Sequence, residues 1–307
     1  MNRPEIFEHR VPSGTAPDRL DRYLVALIPQ MSRSKIQKII MDGKVCLRGR
    51  PMRKPSMFIS SGDEWTVEMP PPEESTLKAE KIPLAILHED AWIIVIDKPA
   101  GLVVHPGAGH ATGTLANALL GHTTALSKRG GPLKLGLVHR LDKDTSGVMV
   151  VAKNDETHAK LSEQFAGRSV NRVYLALVKG RVVRDNGTID APIGRDPANR
   201  KQMAVRYTEQ SREAITKYKV LERMKGATYL ELRPQTGRTH QLRVHLAQIG
   251  HPILGDSWYG VTAGLKRQAL HAHRLGFEHP GVKQYTEFVS PFPKDLQQEL
   301  ARLRGIA

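Results

Sequence analysis

The chain predicts an α+β fold, a mostly antiparallel mixed sheet preceded by a small, strongly basic α/β module. Beyond residue 83 the apolar runs are short and strand-like, and they do not alternate regularly with helical patterns, which disfavours a doubly wound parallel sheet. Pro70-Pro71-Pro72-Glu73-Glu74-Ser75 is stiff and charged and divides the chain. Ahead of it, Ser32 to Lys54 carries a net charge of +7. These observations set the expected boundaries: an N-terminal extension over 1–16, a basic module over 17–69, a Pro-rich linker over 70–83, a large domain over 84–300 and a C-terminal tail over 301–307.

Within the module, Leu20, Tyr23, Leu24, Leu27 and Ile28 form one apolar stripe and predict a helix from Asp18 to Ile28, with Asp18 as N-cap and Pro29 as its stop. A second helix is expected after a Ser32 cap, with Ile36, Ile39 and Ile40 on one face. Asp42-Gly43 then turns the chain into a short strand over 44–48. In the large domain, strands are expected at 92–96, 148–152, 174–178, 215–221 and 229–232. Helices are expected near 114–120, 156–165 and 240–249.

The 307 residues are 40% hydrophobic, enough for a sizeable core, and the formal charge of +15 favours a polyanionic partner. Cys46 is the sole cysteine, so neither an internal disulfide nor a Cys-based zinc site is expected. No signal-like or membrane-spanning apolar run is read, which predicts a cytoplasmic protein without a membrane partner; a monomer is expected.

His139-Arg140-Leu141-Asp142-Lys143-Asp144-Thr145-Ser146-Gly147 is the most informative stretch. It sets a carboxylate and two cations on a polar loop between two apolar segments, a firm mount for a reactive group. The run resembles the signature of the RluA-type pseudouridine synthases. Three further stretches resemble the same family in the same order: Asp97 to Pro106, Arg172 to Val178 and Pro234 to Leu246. The segments Gly194-Arg195 and Met203-Ala204-Val205, together with the basic module, look most like the RluD branch, which modifies 23S ribosomal RNA. Arg19-Leu20-Asp21, Ser32-Arg33-Ser34, Gly43-Lys44-Val45 and Gly62-Asp63-Glu64 resemble an S4-type RNA-binding domain.

The resemblance implies a fold, a reaction and roles. Pseudouridine formation breaks the uracil N1–ribose C1′ bond, turns the base and rejoins it through C5, so no cofactor is required. Asp142 would attack C1′ or take a sugar proton, and Arg238 would keep it ionised. Tyr174 would stack on the flipped uracil and assist at C5. Arg140, two residues before Asp142, would stack in the place the base vacates, since unstacking costs a few kcal/mol. Leu242 would pack near the pocket. His139 joins Arg140 as a candidate RNA contact, as do Arg33, Lys35, Lys38 and Lys44 of the module, whose charges suit phosphates. The implied partner is 23S ribosomal RNA or an assembling large subunit.

Two other classes compete. Asp142-Lys143-Asp144-Thr145 also fits the Asp-x-Asp-x-Thr pattern of haloacid-dehalogenase phosphatases, but His139-Arg140 interrupt the strand that chemistry needs, and regular βα units are missing. A non-catalytic RNA binder or assembly factor would need the module alone. No metal site is expected: His240 and His245 lie five apart and do not share a helix face, and His271 and His273 have no acidic partner nearby.

Overall fold

The computed structural model describes all residues except 1–5, 29–30, 32, 70–76, 108–109, 132, 200, 261, 263 and 307, and the side chain of Ser34. The expected Pro29 stop, Ser32 cap and the first half of the Pro-rich linker lie outside the described residues. The chain divides into two compact units, 1–75 and 76–307.

In the first unit, β1 (Ile6–Arg10), α1 (Leu20–Leu27), α2 (Arg33–Met41), β2 (Val45–Leu47), β3 (Arg50–Met52) and β4 (Glu64–Glu68) follow in order. The strands form an antiparallel sheet in the order β1-β4-β2-β3. Leu20, Leu24, Ile36, Ile39, Ile40 and Ile59 pack with Val45, Trp65 and Val67 into one core. Three expectations are corrected. Residues 1–16 are not a bare extension, because β1 lines the edge of the sheet. Asp18 does not cap α1: Arg19 is the N-cap residue and makes no side-chain cap, while Asp18 accepts the Arg19 N–H. The strand expected over 44–48 stops at Leu47, because the β2–β3 turn closes on Arg48 and Gly49, both at positive φ (47° and 77°).

Asp21 joins the two helices. Its carboxylate is fully buried and accepts from Arg19 Nε (3.0 Å), Arg33 Nη2 (2.9 Å) and Gln37 Nε2 (2.6 Å). Burial opposes ionisation, but the hydrogen bonds from Arg19, Gln37 and Arg33 outweigh it and hold the carboxyl well below the usual range. Asp21→Asn should therefore cost this unit about 1–3 kcal/mol, because a carboxamide leaves one acceptor oxygen for three donors while the two half-exposed arginines keep contact with water. The wild-type contribution should be present above the unfolded carboxyl pKa near 4 and fall away as the pH drops below it. Urea melts of both proteins at pH 7 and pH 3 check both statements; equal melts at pH 7 would remove Asp21 from this role.

The second unit begins with β5 (Ala85–Glu89), β6 (Ile93–Lys98), α3 (Leu115–His122), β7 (Ser146–Ala152), α4 (Asp155–Ala166) and β8 (Asn171–Lys179). It continues with β9 (Asn186–Asp190), β10 (Ile193–Arg195), β11 (Met203–Val205), β12 (Ile215–Met224), β13 (Ala227–Pro234) and α5 (Gln241–Gln248). It closes with β14 (Leu270–Glu278), β15 (Tyr285–Val289) and α6 (Lys294–Arg304). Nine strands form one sheet in the order β5-β6-β7-β14-β8-β13-β12-β9, with β15 also on β14; β10 and β11 form a separate pair. Every pairing in the large sheet is antiparallel except β7 with β14. The α+β expectation therefore holds. The tail boundary does not: α6 runs through residue 300 and buries Leu296 and Leu300.

β6 and β7 carry unbroken apolar runs at 93–96 and 147–152 because both of their faces are covered there. Ile94, Ile96, Met149 and Val151 pack beneath α3, and Ile93, Val95, Val148 and Val150 pack with Leu161 of α4. Leu242 and Leu246 of α5 join Leu177, Leu230 and Leu232 on the other half of the sheet, with Leu296 of α6. The parallel contact places Gly147 against Ala272. Gly147 has φ 122°, and an added Cβ would stand 2.2 Å from Ala272 O, so only glycine lets the strands meet there. Ser146 and Gly147 thus open β7.

Candidate active site

The loop before β7 carries Asp142, and backbone contacts hold that loop. Lys98, fully buried at the end of β6, donates to Pro99 O (2.8 Å), Leu102 O (3.0 Å) and Lys143 O (2.9 Å). Gly101 N–H also reaches Lys143 O, and Gln268 Nε2 donates to Thr145 Oγ1. Burial lowers the Lys98 pKa to about 8 against the opposing pull of Asp144 and Asp142, so the ammonium keeps three protons for three carbonyls at neutral pH. Lys98→Met retains the apolar stem and strips all three bonds. A stability loss of about 3 kcal/mol is expected in urea denaturation; an unchanged melt would show that the loop holds without it.

Asp142 faces a cavity of about 390 Å³ whose wall includes Arg140, Arg172, Tyr174, Arg238, His240 and Leu242. Its ion-pair partner corrects the expectation. Arg243 Nη1 donates to Asp142 Oδ2 at 3.2 Å, whereas Arg238 turns its Nε to the Glu213 carbonyl at 3.0 Å. Arg238 precedes α5 and lines the cavity without an ion pair to Asp142. Arg243 sits in the first turn of α5, is 6% exposed and is held from behind: its Nε and Nη2 donate to the two oxygens of buried Asp256 at 2.7 and 2.8 Å. Asp256 also accepts the N–H groups of Trp258 and Tyr259, and burial of its carboxyl is outweighed by Arg243, which keeps its pKa low. The guanidinium stacks near the Tyr259 and Trp258 rings, 5.0 and 5.6 Å from their centroids.

His240 is the N-cap of α5 and has φ 55°, ψ 18°. A left-handed residue other than glycine costs roughly 1–2 kcal/mol, which its surroundings must offset. Its Nδ1 hydrogen-bonds Tyr259 Oη (2.9 Å), and its ring meets the Trp258 ring edge-on. Its Nε2 lies 4.0 Å from Asp142 Oδ1. Burial lowers the His240 pKa, against the opposing effect of Asp142, which favours the neutral ring.

The remaining expected residues divide. Tyr174 and Leu242 line the cavity, and burial raises the Tyr174 phenol pKa, leaving it protonated. Arg140 is exposed at the cavity. His139 lines the cavity and is held by the protein: its Nε2 accepts the Val150 N–H (3.1 Å), its ring stacks on Phe165, and burial beside Arg172 pulls its pKa down to about 3. In the first unit, Arg33 is tied to Asp21 and Lys44 to Glu68 (3.0 Å), so both expected phosphate contacts already face carboxylates. Lys38 is exposed and Lys35 half-buried on α2. His245 bonds Thr216 and Ala191 O, a structural role, and Ile249 lies exposed at the end of α5.

Arg243, Asp256, Tyr259 and His240 were not assigned roles from sequence. His88, Asp90 and His279 form a further cluster, with ligand atoms within 4.8 Å of one another. His279 Nδ1 accepts the Gly281 and Val282 N–H groups, so its proton sits on Nε2 and points at Asp90. A cation would have to displace that proton; the cluster reads as a clasp between the β5–β6 turn and the chain after β14.

A strongly basic module beside a mixed-sheet domain whose cavity presents an Arg-paired aspartate fits an enzyme that acts on a polyanion. Comparison with known proteins identifies it further. Residues 92–248 match the RNA pseudouridylate synthase family and residues 18–64 match the S4 domain. A Bacillus subtilis protein described as RNA pseudouridine synthase YlyB is 44% identical over 94% of each chain. Ribosomal large subunit pseudouridine synthase D of Zymomonas mobilis is 43% identical, covering 91% of this chain and 92% of its own. The structure of human RNA Pseudouridylate Synthase Domain Containing 4 aligns with a TM-score of 0.56 at 31% identity, over 72% of this chain and 93% of that one. The chain belongs to the RNA pseudouridylate synthase family and is an RNA pseudouridine synthase.

Proposed function

We propose that this enzyme isomerises uridines in the RNA of the large ribosomal subunit, with Asp142 as the group that engages C1′. The observation that carries the site assignment is the Asp142 carboxylate facing the cavity with one oxygen tied to buried Arg243. The similarity to synthases named for the large subunit supports the substrate.

In this reading Asp142 Oδ2 is held by Arg243, and Oδ1, which has no hydrogen bond among the described residues, bonds to C1′. The N1–C1′ electron pair leaves with the base, which turns on Tyr174 within the cavity. C5 then bonds to C1′ and releases the carboxylate; the C5 proton departs and N1 gains one, so the reaction is an isomerisation. Arg140, exposed at the rim, fills the place of the flipped base. Arg243 stabilises the carboxylate in each form, and the buried Arg243–Asp256 pair fixes its direction.

Mapping pseudouridines in ribosomal RNA from cells with and without this protein tests the substrate. Loss of one or more large-subunit sites, restored by the wild type and not by Asp142→Asn, is expected. An unchanged large-subunit map would overturn the substrate assignment.

A further inference from the structure

One backbone-strained residue of the cavity, His240, takes no part in those bond changes. His240 is held in a left-handed backbone conformation, and each ring nitrogen has a definable state. Tyr259 Oη accepts the Met203 N–H at 2.8 Å, which leaves the phenol proton for His240 Nδ1 at 2.9 Å. The neutral ring then carries its own proton on Nε2, an assignment made from the network. That N–H has no hydrogen-bond partner among the described residues and stands 4.0 Å from Asp142 Oδ1. A donor and an acceptor are thus held side by side, too far apart to satisfy each other.

The spacing suits one shared hydroxyl. An oxygen about 2.8 Å from both atoms completes a triangle over that separation, accepting from Nε2 and donating to Oδ1. The stereochemistry of a ribonucleoside identifies which hydroxyl arrives. The base lies on the β face of the sugar, so a carboxylate displacing it in line approaches C1′ from the α face. The 2′-hydroxyl projects from that same face, on the adjacent carbon.

We infer that His240 is a specificity-determining residue for ribose, its Nε2–H and Asp142 Oδ1 together gripping the 2′-hydroxyl of the target nucleotide. The inference rests on the proposed placement of Asp142 at C1′. It gives the strained conformation a purpose: helical φ/ψ at residue 240 would carry the ring off the Tyr259 hydroxyl and away from Asp142. The β10–β11 pair, through Met203 N–H, sets the tautomer without touching the substrate.

Two replacements separate the ring nitrogens. His240→Asn accepts a left-handed backbone and places its amide near the Nδ1 position, but does not reach the cavity. His240→Gln extends an amide N–H towards the Nε2 position. The test is kcat/KM for wild type and both variants on a stem-loop RNA bearing either uridine or 2′-deoxyuridine at the target. The intrinsic reactivity of the deoxy sugar is common to all three enzymes and cancels in the ratio of ratios.

The uridine preference of the wild type should exceed that of His240→Asn by about 10- to 100-fold, and His240→Gln should recover much of it. A folded His240→Asn protein, checked by thermal melt, whose preference stays within about twofold of wild type overturns the inference. If His240→Asn is folded but too slow to assay, or does not fold, the same comparison is made by RNA affinity and with His240→Gln; no difference between the two RNAs for wild type in that measurement also overturns it. Wild-type protein that forms no pseudouridine on the uridine RNA would instead sink the proposed reaction, and this inference with it.

Discussion

Asp142→Asn is expected to abolish turnover, by about 10⁴-fold or more, while RNA affinity stays within about threefold of wild type. The substitution preserves shape and the hydrogen-bonding outline but removes the charge, so the side chain neither bonds to C1′ nor accepts a proton. Binding survives because phosphate contacts by the many cations supply most of the affinity for RNA, and these are untouched. Loss of the Asp142 charge also leaves Arg243 neutralised by Asp256 alone, a bidentate pair at 2.7 and 2.8 Å that stands without Asp142. Stability should consequently change little, which makes the variant a clean probe. Pseudouridine yield on a stem-loop RNA, with mass spectrometry to exclude deamidation back to aspartate, decides it: turnover within about tenfold of wild type by a homogeneous preparation of the variant would be incompatible with the assignment.

Much of the catalytic domain was legible in sequence because burial on both faces leaves an unmistakable trace. β6 and β7 contain uninterrupted apolar runs, at 93–96 and 147–152, and β8 and β13 nearly so. β14 is central too, yet His271, His273 and Arg274 break its run. The burial of His271 is made tolerable by hydrogen bonds to Ser146 and Ser290 that no local pattern announces. β1 was lost for the opposite reason: as an edge strand with alternating exposure it resembles a polar tail. In α6 the signal was present, since Leu296, Leu300 and Leu303 share a stripe, but the surrounding charges concealed it. At the site, Asp142, Tyr174 and Leu242 stood out as parts of recognisable motifs, whereas the choice between Arg238 and Arg243 depended on where α5 begins. A start at Gln241 after a left-handed His240 turns residue 243 inward, and burial of an arginine there is stable only because Asp256, thirteen residues later, meets it.

Arg243→Lys should lower kcat by about 10²–10³-fold, whereas Arg238→Met should cost far less. A lysine retains the charge, yet its ammonium is a single point, and Arg243 uses three separate nitrogens at once: Nε and Nη2 on Asp256, Nη1 on Asp142. A lysine that settles on buried Asp256 abandons Asp142; one that reaches Asp142 leaves Asp256 charged and unpaired. The first arrangement is favoured, because an unpartnered carboxylate with no exposure costs more than one that is 21% exposed to the cavity. Asp142 then loses the cation that holds its orientation, while the fold keeps the Asp256 contact. Arg243→Met, in contrast, strands Asp256 and should destabilise the domain by about 3–5 kcal/mol, so its inactivity alone would not discriminate. The informative pair is Arg243→Lys against Arg238→Met, both shown folded by thermal melt and both assayed in single turnover. Among the described residues the Arg238 side chain makes one hydrogen bond, from Nε to a backbone carbonyl, so its removal should weaken RNA contact and appear mainly in KM. If Arg238→Met proves the slower enzyme at saturating RNA, the ion pair seen between Asp142 and Arg243 is not the one that governs the chemical step.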